Sequence, residues 1–173
     1  MVKAMTAFKL LMDVYKVEKY AACATSAMRE AYNGNDLVDE IAKKAGINID
    51  IIEGKTEAAI IANSDLEAYI KNDGHYLYVD VGGGSTEFTL FSKGKQIVSK
   101  SFKNGTVRLL NNMVTESVWQ EIEKWIKTHT TNLSNVEIIG SGGNINKIFK
   151  MSGKTNDKPL TQTYLVQRFK YLN

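Results

Sequence analysis

The segment from Tyr76 to Glu87, Tyr-Leu-Tyr-Val-Asp-Val-Gly-Gly-Gly-Ser-Thr-Glu, constrains the fold more than any other part of the chain. Strand-forming residues end in a carboxylate, three consecutive glycines follow, and strand formers resume at Thr86. Glycine carries no Cβ, so a glycine run at this point lets the backbone reverse tightly. The pattern predicts strands over Tyr76–Val79, Thr86–Phe91 and Gln96–Phe102. Together they form a β-meander whose first corner is the glycine turn and whose second is Lys93-Gly94. Successive amides turned inward make an anion-binding concavity. Asp80 then stands where a carboxylate can hold a Mg²⁺-bound water. Gly82, Gly83 and Gly84 offer amides to phosphate, and Ser85 and Thr86 offer hydroxyl donors. An ordinary glycine-rich hairpin explains the glycines, but it explains poorly an acid before them and two hydroxyls after them.

The remainder of the chain reads as mixed α/β. Phe8, Leu11, Met12 and Tyr15 have helical spacing within residues 5–17. Tyr20–Ala24 reads as a short buried strand with Cys23 as a small core residue. A helix from Ala27, capped by Thr25 or Ser26, is broken at Asn33-Gly34-Asn35. Asp36–Lys44 reads as a second helix ended by Gly46, and Ile47–Ile52 as another strand. Lys55–Ile70 has helical periodicity. Past the meander, Ser117–His129 places Val118, Ile122, Trp125 and Ile126 on one helical face. Val136–Ile139 reads as a strand, and a helix follows from about Asn144 to Met151. The texture changes near Lys71–His75, which divides the chain into 1–74 and 75–173.

Composition narrows the function. The 173 residues are 43% hydrophobic with a single proline, as in a folded protein rather than a disordered one. Twenty-two basic against 19 acidic residues leave +3, too mild a balance to mark a nucleic-acid binder. Charges interrupt every long apolar stretch, and Met1–Tyr20 lacks the apolar centre of a signal peptide. The single cysteine, Cys23, excludes an intrachain disulfide. These features predict a cytoplasmic protein without a membrane partner.

Three further segments carry polar residues at strand-to-helix junctions, where a helix N-terminus can face an anion. In Ala24-Thr-Ser-Ala-Met-Arg-Glu-Ala31, Arg29 is a planar cation suited to phosphate oxygens. Read alone, the segment is a capped helix with a surface arginine. In Ile51-Ile-Glu-Gly-Lys-Thr-Glu-Ala58, Glu57 falls in a first helical turn, where the dipole favours a carboxylate. It could instead act as general base toward a water. Ile139-Gly-Ser-Gly-Gly143 is a second glycine loop and a second candidate anion cradle.

In this order, the segments resemble the exopolyphosphatase and guanosine pentaphosphate phosphohydrolase (Ppx/GppA) family of the actin-like superfamily. Residues 24–31 look like its ATSALREA segment and 50–58 like its V-I-S-G-x-E-E-A segment. Residues 80–87 match its DIGGGSTE loop almost throughout. Phe102-Lys-Asn-Gly-Thr-Val-Arg-Leu109 is similar to its L-x-x-G-x-V-R-L stretch, and 139–143 to its later glycine loop. The resemblance implies an α/β actin-like fold, with 1–74 belonging to a first domain and 75–173 to a second. It implies Mg²⁺-assisted attack of water on the terminal phosphate of polyphosphate or pppGpp. Glu57 then corresponds to the catalytic base and Asp80 to a metal- and water-associated carboxylate. Glu87 becomes a second metal-side acid, Gly82 to Thr86 the phosphate loop, and Arg29 a phosphate-facing arginine. It also implies a homodimer of the full-length protein.

The family's first phosphate loop, of the form D-x-G-S-N-S, does not precede Phe8, so the chain is expected to be an internal fragment. Glu53, Thr56 and Ala59 depart from the family pattern around Glu57. A non-catalytic phosphate- or nucleotide-binding module is the alternative reading. A kinase or chaperone-like ATPase is disfavoured by the ATSALREA-like segment.

Overall fold

The computed structural model describes residues 1–54, 56–57, 60, 69–155 and 158–172. They fall into two compact units, Met1–Tyr69 and Ile70–Asn173. Most of the helix expected over Lys55–Ile70, including Ala59, lies outside the described residues. Gly54, Thr56, Glu57 and Ile60 are helical.

In the first unit, helices α1 (Val2–Val14), α2 (Ser26–Arg29) and α3 (Gly34–Ala45) accompany strands β1 (Cys23–Ala24) and β2 (Asp50–Ile51). The strands pair in parallel, Cys23 opposite Asp50 and Ala24 opposite Ile51. Ile41, Ala45 and Ile47 are buried together, and Met5, Met12, Ala22, Leu37 and Ile49 pack against them. Gly46 ends α3 in the left-handed conformation, at φ 66°, where glycine carries no Cβ penalty.

Three expectations here are corrected. Both apolar runs contribute only two paired residues, since a ladder needs a partner strand as well as apolar side chains. Cys23 is exposed rather than a core residue. The alternation of the strand turns Ala22 and Ala24 toward the interior and Cys23 outward. Gly34 opens α3 instead of breaking a helix. A Cβ on Gly34 would run into the Met28 carbonyl, so glycine allows α3 to start directly behind α2.

The second unit is built on a four-stranded sheet in the order β5-β4-β3-β6. Its strands are β3 (His75–Val81), β4 (Thr86–Ser92), β5 (Lys95–Phe102) and β6 (Val136–Ser141). β3, β4 and β5 form the expected antiparallel meander, and β6 pairs with β3 in parallel. Helices α4 (Thr106–Leu110), α5 (Glu116–Thr130), α6 (Gly143–Met151) and α7 (Gln162–Leu172) complete it. One sheet face packs on the apolar stripe of α5. Leu77, Phe88, Phe102, Ile122 and Trp125 are buried there, with Val118 and Ile126 against them. Phe88, Phe102 and Trp125 meet edge-on at ring-centroid distances of 5.4–6.1 Å, a favourable aromatic geometry. Because strand residues alternate, the opposite face carries Tyr78, Asp80, Glu87, Thr89, Ser99 and Ser101. That face is apolar at Tyr76 and Phe91, turns polar toward Asp80 and Glu87, and ends at the glycine turn.

Candidate active site

The glycine turn joins β3 to β4, whose last ladder pair is Val81 with Thr86. Gly82 N–H closes the turn on the Ser85 carbonyl at 3.0 Å. The next three carbonyls all point to one segment. Thr106 N–H donates to Gly82 O at 2.9 Å and Val107 N–H to Gly83 O at 2.8 Å. Arg108 Nε donates to Gly84 O at 2.6 Å, and Thr106 Oγ1 also reaches Gly82 O at 3.3 Å. No peptide in the described chain is cis. In a planar trans peptide the N–H points opposite to the C=O. The amides of Gly83, Gly84 and Ser85 therefore aim together at the side away from α4. Gly83 is exposed and Gly84 half-buried. This is the arrangement an anion cradle requires.

The hydroxyls behave differently from the amides. Ser85 and Thr86 are buried, and both hydroxyls serve protein acceptors. Ser85 Oγ donates to Glu87 Oε1 at 2.5 Å, and Thr86 Oγ1 donates to the Asn104 carbonyl at 3.3 Å. Without an anion present, both hydroxyls brace the turn. Ser85 retains its backbone amide for an anion.

Glu87 is 3% exposed. Its Oε1 accepts from Ser85 and also from Ser101 Oγ, at 2.8 Å. Ser101 stands opposite Glu87 on β5, and Asp80 opposite it on β3. Asp80 is half-buried and in register with Ser141 at the end of β6. Burial pushes the Tyr78 phenol above its ordinary range; a hydrogen bond with Ser141 opposes this, and the charges of Asp80 and Glu87 add to it. Asp80 and Glu87 are register partners, and Mg²⁺ is commonly held by one or two carboxylates with waters and phosphate oxygens completing the shell. The residues fit such an open site, with Asp80 the more available acid because Glu87 already holds two hydroxyls. Among the described residues, no three His, Cys, Asp or Glu side chains gather into a closed cage.

The second glycine loop meets the first. β6 ends at Ser141 beside Asp80, and Gly142 caps α6 at φ 110°. A Cβ on Gly142 would lie 2.5 Å from the Val81 carbonyl, so only glycine lets the chain turn into α6 here. The α6 N-terminus therefore starts against the end of β3, one residue before the glycine turn. Parallel strands present their carboxyl ends and the following helix N-termini to ligands in this way.

The first unit places the other two candidates. Arg29 ends α2 and donates from Nη1 to the Ile52 carbonyl at 2.7 Å, which ties α2 to the chain leaving β2. Thr25 stands at the cap position of α2, with no side-chain cap bond. Glu57 is half-buried, and its N–H donates to the Glu53 carbonyl at 3.0 Å within the helical turn after β2. The structure thus brings Asp80, the glycine turn and Glu87 together in the second unit, and Arg29 and the entry to the Glu57 turn together in the first. Sequence reasoning passed over Thr106, Arg108 and Ser101. The stretch 102–109 carried the signal for the first two, but nothing local links it to the glycines.

The family model of the Ppx/GppA phosphatase family matches residues 1–137. Among curated proteins, the chain is 29% identical over 157 residues to a bifunctional 3-dehydroquinate synthase/phosphatase of Fusobacterium nucleatum. That match covers 82% of the chain and 24% of the relative. It is 30% identical over 88 residues to exopolyphosphatase 1 of Mycobacterium tuberculosis, covering 51% of the chain and 26% of the relative. The chain thus spans about a quarter of the length of these relatives. Among solved structures, an exopolyphosphatase from Cytophaga hutchinsonii superposes with a TM-score of 0.71 at 22% identity, over 92% of this chain and 55% of that one. The Aquifex aeolicus Ppx/GppA family member gives 0.65 at 24%, over 94% and 55%. These superpositions show the fold, the actin-like fold of Ppx/GppA proteins. The sequence match over residues 1–137 goes further: this chain belongs to the Ppx/GppA phosphatase family.

Proposed function

We infer that the chain forms part of a phosphohydrolase that releases terminal phosphate from inorganic polyphosphate or pppGpp. The observation that carries this reading is the common aim of the Gly83, Gly84 and Ser85 amides, set by three carbonyl bonds on the opposite side. A phosphoryl group in transfer spreads its charge over equatorial oxygens, and fixed amides stabilise that charge without reorganising. Asp80 and Glu87 are the residues that would hold Mg²⁺, which when bound neutralises phosphate charge. Glu57 orients or deprotonates the attacking water, and Arg29 offers a guanidinium to phosphate oxygens. The chain is read as parts of two actin-like domains, 1–74 and 75–173. A cytoplasmic location accords with the single cysteine, and a homodimer of the full-length protein follows from the family reading. Polyphosphate is placed first as substrate because the Mycobacterium relative is an exopolyphosphatase.

The test is phosphate release from long-chain polyphosphate and from pppGpp by the protein that carries this sequence, with Mg²⁺ and with EDTA. Release that depends on Mg²⁺ is expected. Glu57→Gln should lower turnover by roughly 10²–10⁴ while leaving substrate affinity nearly unchanged, because a base acts on the water rather than on ground-state binding. Equal loss of affinity and turnover would remove Glu57 from the base role. Tight binding of either substrate without release would establish the non-catalytic module instead.

A further inference from the structure

The segment Asn104–Arg108 braces the glycine turn from outside it. Thr106 N–H, Val107 N–H and Arg108 Nε take the carbonyls of Gly82, Gly83 and Gly84 in succession. Gly105 is required at this approach, because a Cβ there would overlap the Gly83 carbonyl and the Gly84 nitrogen. The first two donors are backbone groups and survive substitution. The third is a side chain, and it fixes the peptide whose other end is the Ser85 amide.

We propose that Arg108 is a positioning residue for the anion cradle: by holding the Gly84 carbonyl it sets the direction of the Ser85 amide, with Thr106 Oγ1 doing the same more weakly at Gly82. Without the Arg108 bond the Gly84–Ser85 peptide is free to rotate about the flexible glycine torsions, and the cradle loses its alignment before an anion arrives. The guanidinium suits this role because its planar N–H donors are held in a fixed geometry, while a lysine ammonium rotates. The inference rests on the reading of the turn as a phosphate cradle.

The experiment separates the two. The ¹⁵N-labelled chain is titrated with tripolyphosphate at low ionic strength, and the amides of Gly83, Gly84 and Ser85 are followed. If the wild-type amides do not respond, the cradle reading fails and the proposal fails with it. If they respond, Arg108→Gln should weaken tripolyphosphate about tenfold or more, with the Ser85 amide already shifted in the ligand-free protein. Arg108→Lys should recover part of the affinity. Binding by Arg108→Gln within about twofold of wild type would overturn the proposal while leaving the cradle standing. Full recovery by lysine with unshifted free-state amides would mark a direct charge contact and would also overturn it. The amides of Leu77 and Phe88 report whether the core has stayed folded. If Arg108→Gln unfolds, Arg108→Lys carries the test: it should bind tripolyphosphate more weakly than wild type, with the Ser85 amide shifted in the ligand-free protein, and wild-type affinity with an unshifted amide would overturn the proposal.

Discussion

Glu87 shows how a residue can be legible in type and hidden in role. The run Gly-Gly-Gly-Ser-Thr-Glu announces an anion site with an acid at its end. The acid is nearly fully buried, and its charge is offset locally by the hydroxyls of Ser85 and Ser101. A buried carboxylate is tolerable only while such donors remain. Ser101→Ala removes one of them and leaves the carboxylate under-satisfied. The expected loss is about 1–3 kcal/mol of folding stability, read as a lower urea midpoint at unchanged slope. An unchanged midpoint would show that water replaces the hydroxyl at no cost. Ser85 was visible two residues from Glu87, but Ser101 lies fourteen residues on and meets it only through the β4–β5 register. Pairing across strands is what the local pattern could not supply. For the same reason the bonds of the Ser85 and Thr86 hydroxyls to Glu87 and the Asn104 carbonyl were not legible in the local pattern.

At the scale of elements, what the sequence stated most clearly was periodicity backed by turn chemistry. The meander, its two corners and the stripe Val118, Ile122, Trp125 and Ile126 all follow from it. The second corner carries a local conflict: Lys93 and Gly94 both have positive φ, 52° and 74°, the geometry of a type I′ hairpin turn. Glycine suits its place, whereas a lysine in the left-handed region is strained. Asparagine tolerates that region, so Lys93→Asn should stabilise the second unit by roughly 0.5–1 kcal/mol. Thermal unfolding measures it, and an unchanged or lower midpoint would mean that Lys93 gains something else from its place. The bond from Lys93 N–H to the Gly74 carbonyl is a backbone bond and persists in the variant. Elements that lack periodicity were not legible. α4 forms five residues long with Val107, Leu109 and Leu110 exposed, because its first amides find the glycine carbonyls. The two-residue strands β1 and β2 were overread for the opposite reason, since an apolar run signals burial and leaves its ladder partner open.

On the scale of the whole molecule, the two units differ in how much holds each together. The second has a four-stranded sheet, five clustered buried apolar residues and three rings in mutual edge contact. Among its described residues, the first has a two-stranded sheet of two-residue strands and a buried cluster of three, Ile41, Ala45 and Ile47. Its α1 has no buried residue, and Phe8, Leu11, Val14 and Tyr15 of that stretch are exposed. Regions with few buried apolar contacts open at lower free energy than regions with many. The α3 amides, from Leu37 to Ala45, should therefore exchange with solvent through an opening of lower free energy than the amides of β3 and β4. Native-state hydrogen exchange in increasing urea reads both. Protection in α3 is expected to collapse at a urea concentration where Leu77, Phe88 and Leu90 are still protected. Ile41 is the most demanding probe, because it is fully buried and its amide lies within the helix. Coincident loss of protection at Ile41 and Leu90 would show that the small cluster is not what limits the first unit, and that the whole chain opens in one step.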